Sequence, residues 1–258
     1  MNKVKLTGAE IIWECLLREQ VNVVFGYPGG AILPTYDALS KYSDRIHHVL
    51  TRHEQGATHM ADGYARSSGK VGVALATSGP GAANMVTGLA TAMMDSVPIV
   101  CITGQVPRPA IGSDAFQEMD ISGAVIPVTK HSYLVMDIKD LAKTIKEAFV
   151  IARSGRPGPV LVDIPKDLQA EEFDFVYPEE PIMLPGDNPI KNDIDVKSLE
   201  EAAKLIANAE RPVILAGHGI LLSGASKEVI ELSEKGDIPL SWTLLGSVSY
   251  THLRAHET

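Results

Sequence analysis

The chain has 258 residues, of which 45% are hydrophobic and 21% charged, with a formal net charge of −9. This is ordinary globular composition with enough apolar side chains for a sizeable core, and the acidic balance disfavours nucleic acid or an anionic membrane as a partner. No basic stretch followed by an apolar one opens the chain, and no apolar run approaches ~20 residues, so the expectation is a cytoplasmic protein without leader or membrane span. The length accommodates one complete α/β domain plus part of another.

In chain order, residues 21–25, 71–76, 99–103 and 160–164 are continuous apolar runs of the kind found in parallel strands covered on both faces. Residues 8–18, 54–67, 81–94 and 140–154 read as helices between them, and Thr7 with Glu10 forms a capping box for the first. The alternation argues for βαβ units and a parallel sheet over residues 1–168. Both cysteines, Cys15 and Cys101, sit among apolar neighbours and read as buried thiols.

Residues 169–195 change character, carrying five acidic residues from Glu171 to Glu180 and four prolines with no apolar period, and read as an extended connection. A second α/β pattern follows over 196–246. It has a helix at 196–209, a strand at 212–216, a turn at Gly217-His218-Gly219, a helix at 226–235 and a strand at 238–243. This is the start of a Rossmann-like domain, too short to complete one. Residues 247–258 keep no period and read as a tail foreign to the fold. Its His252 and His256, four apart, have helical metal-ligand spacing as the competing reading.

Three glycine-rich or polar turns fall at predicted strand ends. Gly26-Tyr27-Pro28-Gly29-Gly30 lets backbone approach a ligand closely, or is simply a tight strand-to-helix turn. It lacks the G-x-G-x-x-G spacing, so it does not support a dinucleotide site. Arg52-His53-Glu54-Gln55 ends a strand and starts a helix, where ligands bind in open parallel sheets. A carboxylate at a helix start is also favoured by the macrodipole, and the local pattern alone favours that simpler reading. Thr77-Ser78-Gly79-Pro80-Gly81, with Asn84 following, offers free N–H groups to a ligand or is capped by its own hydroxyls. Together the three share one sheet edge, which strengthens the ligand reading. Arg156, in Ser154-Gly155-Arg156-Pro157-Gly158-Pro159, suits a phosphate or carboxylate or a surface ion pair. Phe116, in Asp114-Ala115-Phe116-Gln117-Glu118, reads as site or as core. No histidine spacing before the tail suggests a metal site.

These motifs, together with Met60-Ala61-Asp62-Gly63-Tyr64-Ala65-Arg66, Gly104-Gln105-Val106-Pro107 and Asp163-Ile164-Pro165-Lys166-Asp167, run in order from about residue 4 to about residue 246. Collinear in this way, they resemble the catalytic (large) subunit of acetolactate synthase, a thiamine-diphosphate-dependent family. The resemblance implies that residues 1–168 are the pyrimidine-binding domain. Glu54 would hydrogen-bond N1′ of the aminopyrimidine, favouring the imino form that deprotonates the thiazolium. Two pyruvates, or pyruvate and 2-ketobutyrate, would then condense with loss of CO2, as in branched-chain amino-acid biosynthesis. It further implies Gly30 and Gln117 beside the substrate; Pro28, Pro80 and Asn84 beside the pyrimidine; and Arg156, Gly217 and Gly219 beside FAD, which does no net redox work.

The family's third domain, which binds the diphosphate through Mg²⁺ with a Gly-Asp-Gly motif and a downstream Asn, has no counterpart here. The resemblance therefore implies a fragment inactive by itself, an active site shared between subunits of a homodimer or larger homo-oligomer, and a possible regulatory small subunit. Pyruvate oxidase and 2-keto acid decarboxylase on the same scaffold, and a non-catalytic dimerising module, are the competing readings.

Overall fold

The computed structural model describes residues 4–184 and 195–247. The chain divides into two compact units between Pro185 and Gly186.

The first unit runs β1 (Val4–Thr7), α1 (Gly8–Arg18), β2 (Val23–Gly26), α2 (Leu33–Leu39), β3 (His47–Leu50), α3 (Glu54–Ser68), β4 (Gly72–Ala76), α4 (Pro80–Ala83), α5 (Val86–Asp95), β5 (Ile99–Gln105), α6 (Ile121–Ala124), β6 (His131–Leu134), α7 (Ile138–Arg153), β7 (Val160–Pro165), α8 (Lys166–Ala170) and β8 (Glu172–Phe175). Six strands form one parallel sheet in the order β3-β2-β4-β5-β7-β6. Every residue of β4, β5 and β7 is buried, which is why these strands read as unbroken apolar runs. One face carries α1 and α7, whose Trp13, Leu16, Leu141, Ile145 and Phe149 join the larger core cluster. The other carries α3 and α5, packed closely through Ala57, Ala61, Ala65 and Leu89.

Local chemistry fixes the helix ends. Thr7 Oγ1 accepts from Glu10 N at 3.3 Å while Glu10 Oε2 accepts from Thr7 N at 2.9 Å, completing the capping box at α1. His53 caps α3 through Nδ1, which accepts from Gln55 N at 3.1 Å, and Gly69, at φ 69°, ends it in the left-handed conformation. The helix expected over 81–94 is two helices, α4 and α5, broken at Asn84-Met85. Cys15 and Cys101 are buried free thiols, and burial pushes both well above the ordinary thiol range.

The stretch from residue 169 begins inside the first unit rather than as a free connection. Gln169 is buried, its Nε2 donating to Ala31 O and Ile164 O at 2.9 Å each. β8 pairs antiparallel with β1, Val4 opposite Phe175 and Thr7 opposite Glu172. The strand alternates Glu172 and Asp174 with Phe173 and Phe175, a two-residue period too short to stand out among the surrounding acids and prolines.

The second unit contains α9 (Val196–Ala207), β9 (Ile214–Ala216), α10 (Gly219–Ser223), α11 (Ser226–Gly236) and β10 (Leu240–Trp242), with β9 and β10 parallel. The connection's residues 185–194 and the tail beyond Ser247, including His252 and His256, lie outside the described residues. Among the described residues no helix is long and apolar enough to cross a membrane.

Candidate active site

β2 pairs with β3 on one side and β4 on the other, so the chain reverses its direction of sheet growth there. Such a switch point opens a crevice at the carboxyl ends of the strands. The Gly26–Gly30 and Thr77–Gly81 turns flank it and interlock. Ala31 N donates to Thr77 Oγ1 at 3.1 Å, and a β-carbon on Gly29 would stand 2.5 Å from Thr77 Cβ. The glycine at 29 is thus needed for close approach of the two turns.

Glu54, the first residue of α3, lies at this edge and is 7% exposed. Its Oε2 accepts from Asn84 Nδ2 at 2.9 Å. Its Oε1 faces Gly81, where a β-carbon would stand 3.2 Å away. Asn84 is placed by α4, its N–H donating to Pro80 O at 3.1 Å. The buried carboxylate is oriented by one amide, with its other oxygen toward a backbone that has no side chain.

Gln117 joins the same edge. It adopts φ 59°, and its carbonyl oxygen would stand 2.4 Å from a β-carbon on Gly79, itself at φ 57°. Gly30 is exposed, with nothing within 4 Å of its β-carbon position. The structure therefore gathers Glu54, Asn84, Pro80, Gln117 and the Pro28–Gly30 turn. Phe116 is 88% exposed, which settles it as surface rather than core. His59 is exposed on α3.

Arg156 is elsewhere. It precedes β7, at the amino-end edge of the sheet, and closes the end of α5. Its Nε donates to Ser96 Oγ at 2.7 Å, and its Nη2 donates to Met93 O at 3.0 Å and Met94 O at 2.9 Å. Gly217 and Gly219 lie in the second unit at the start of α10, with nothing within 4 Å of either β-carbon position. Among the described residues no three His, Cys, Asp or Glu side chains converge as a metal site.

Tyr36, His48 and Thr51 belong to no motif. Tyr36 Oη, His48 Nε2 and Thr51 Oγ1 are buried without a hydrogen-bond partner, and the Tyr36 and His48 rings meet edge-on at 5.1 Å. Burial, then the Glu54 charge, pushes the Tyr36 phenol well up, while burial lowers His48. Asp163, 1% exposed in β7, accepts from Thr103 Oγ1 and Gln105 Nε2 at 2.7 Å each. Burial raises its carboxyl to about 6. In the sequence it opens the Asp163–Asp167 motif as an acid inside an otherwise apolar strand.

Residues 6–124 match the family described as thiamine pyrophosphate enzyme, N-terminal TPP binding domain. Residues 199–254 match its central domain, a match that runs into the stretch set apart from residue 247 as foreign. "Acetolactate synthase" of Arthrospira platensis is 51% identical over 246 residues, covering 94% of this chain and 42% of the relative. "Probable acetolactate synthase large subunit" of Methanocaldococcus jannaschii is 51% identical over 245 residues, covering 93% and 41%. "Acetolactate synthase large subunit" of Corynebacterium glutamicum is 49% identical over 250 residues, covering 96% and 40%. The chain thus spans about two fifths of the length of the curated relatives it matches.

Proposed function

The chain belongs to the thiamine pyrophosphate enzyme family, and we propose that it is the cofactor-activating part of an acetolactate synthase catalytic subunit. The observation that carries this reading is the buried Glu54 carboxylate at the switch point, oriented by Asn84 and facing Gly81. The names of the relatives support the reaction class.

Thiamine diphosphate, when bound, supplies the nucleophilic carbon that adds to the keto group of pyruvate. Glu54 would hold a proton with N1′ of the pyrimidine through the oxygen that Asn84 leaves open. Asn84 keeps that carboxylate from rotating, and Gly81 leaves room for the ring. Gly30 and the Gln117 loop would line the substrate side, where pyruvate and a second pyruvate or 2-ketobutyrate are joined with loss of CO2. Arg156 commits Nε and Nη2 to the end of α5, and its Nη1 would be the group that meets FAD. The described residues offer no ligand set for Mg²⁺. A partner copy of the subunit would complete the site, with a small regulatory subunit as a further partner. The 258-residue chain alone would not turn over pyruvate.

The test is Glu54→Gln in the complete subunit. Acetolactate formation should fall at least ~100-fold, as expected for loss of a positioned acid–base group. Near-normal turnover overturns the reading. Visible flavin absorbance of the purified complete subunit separates it from flavin-free decarboxylases on the same scaffold.

A further inference from the structure

The loop that carries Gln117 is tied into itself, and its deepest tie to the body of the domain is one side chain. Glu118 closes the loop internally, its carboxylate accepting from Ala115 N at 2.9 Å and from Gly112 N. At the loop's end Met119 O accepts from Gln105 Nε2 at 2.9 Å. Gln105 ends the central strand β5 and is 4% exposed. Its second Nε2 hydrogen goes to Asp163 Oδ2 at 2.7 Å, and its Oε1 accepts from Val106 N at 2.9 Å. Asp163 Oδ1 is taken by Thr103 Oγ1 at 2.7 Å. The amide of Gln105 has one rotational setting that meets all three partners, and Asp163 selects it: flipped, its carbonyl oxygen would face both a carboxylate and a carbonyl.

We propose that Gln105, oriented by Asp163, is a positioning residue that sets how deeply the Gln117 loop sits over Gly79. Gln117 lies two residues before the carbonyl that Gln105 holds, with its own carbonyl against the Gly79 α-carbon. Displacing Met119 would lift that contact and, with it, the turn that carries Pro80 and Gly81 beside Glu54. The network tolerates either state of Asp163. A protonated Asp163 donates to Thr103 Oγ1 and still accepts from Gln105, so Asp163→Asn should preserve the arrangement. That the loop matters to substrate rests on the reading of Gln117 given above; that Gln105 sets its place does not.

Amide hydrogen exchange of the 258-residue chain, which needs no substrate, tests the placement alone. Gln105→Met keeps side-chain bulk and removes both donors. Exchange over residues 111–119 should rise at least ~10-fold, the equivalent of one lost buried hydrogen bond, while residues 99–103 and 160–162 stay protected. Asp163→Asn should leave the loop within about twofold of the parent chain. An unchanged loop in Gln105→Met overturns the proposal. So does a loop and sheet that loosen together, which would make Gln105 a general core residue, and so does an Asp163→Asn loop as mobile as that of Gln105→Met. In the complete subunit, a Gln117→Ala variant with unaltered KM for pyruvate would remove the substrate reading while leaving the exchange result standing.

Discussion

Asn84 Nδ2 donates to Glu54 Oε2 across 2.9 Å, joining the break between α4 and α5 to the first residue of α3. The bond makes the carboxylate's orientation a property of two elements 30 residues apart. Asn84→Asp would replace a donor with a second carboxylate at hydrogen-bonding distance, and two such groups share a proton rather than both ionise. In the complete subunit, kcat/KM at neutral pH should fall roughly 10- to 100-fold, the range of a disturbed acid–base group. It should recover partly as pH falls and one carboxyl takes up a proton. A pH–rate profile parallel to that of the unmodified enzyme would refute this coupling.

Gly79 and Gly30 should separate conformational need from ligand approach. Gly79 has φ 57° and ψ −116°, and a β-carbon there meets Gln117 O at 2.4 Å. Gly79→Ala should cost about 3 kcal/mol and lower Tm by roughly 5–10 °C. Gly30 has open space at its β-carbon position, so Gly30→Ala should leave Tm within about 2 °C. Activity lost in Gly30→Ala without loss of Tm would locate a reacting group beside that backbone; calorimetry on both variants is the check.

Asp163 gives a pH signature of stability. Burial raises its carboxyl from the ordinary 3.8 to about 6 in the folded state. The folded chain therefore binds this proton more tightly than the unfolded one. Its favourable contribution is complete below about pH 4 and is lost as pH rises through about 6. The difference between 3.8 and about 6 corresponds to roughly 3 kcal/mol. Asp163→Asn keeps the hydrogen bonds and removes the ionisation. Its Tm should match the parent near pH 4 and exceed it increasingly up to pH 7. A constant difference across that range would show that Asp163 does not titrate there.

Arg156→Ala should fray α5. The guanidinium closes the carbonyls of Met93 and Met94 and the hydroxyl of Ser96, and an exposed C-terminal cap of this kind contributes about 1 kcal/mol. Tm should fall by roughly 2–4 °C, with faster exchange confined to residues 93–97. Loss of flavin absorbance in the complete subunit beyond that of an equally destabilised variant elsewhere would separate a contact with FAD from the cap.

The sheet and its main helices were legible because their apolar periods are long. α1 matches its expected bounds, and α3 extends one residue beyond its own. β3 was expected only through the turn that ends it, and β6 escaped, because edge strands such as His47–Leu50 and His131–Leu134 are short and half polar. The helix over 81–94 concealed its break because Asn84-Met85 interrupts the hydrogen-bond ladder without interrupting the apolar pattern. Glu54, Asn84 and Gln117 were named as site candidates through motifs, whereas Gln105 and Asp163 stood inside quoted motifs without a role of their own. Each looks like a lone polar residue in a buried strand until the register aligns Gln105 with Pro165 and Thr103 with Asp163.

The antiparallel ribbon of β1 and β8 sets Val4 beside Phe175, so the first and last strands of the first unit meet at their outer ends. Entry and exit side by side make it a cassette. A short linker could join residue 176 to residue 4 and new ends be cut at the exposed bend Gly69–Lys70, leaving the parallel sheet intact. The edge that carries Glu54 would be kept through the permutation as a unit.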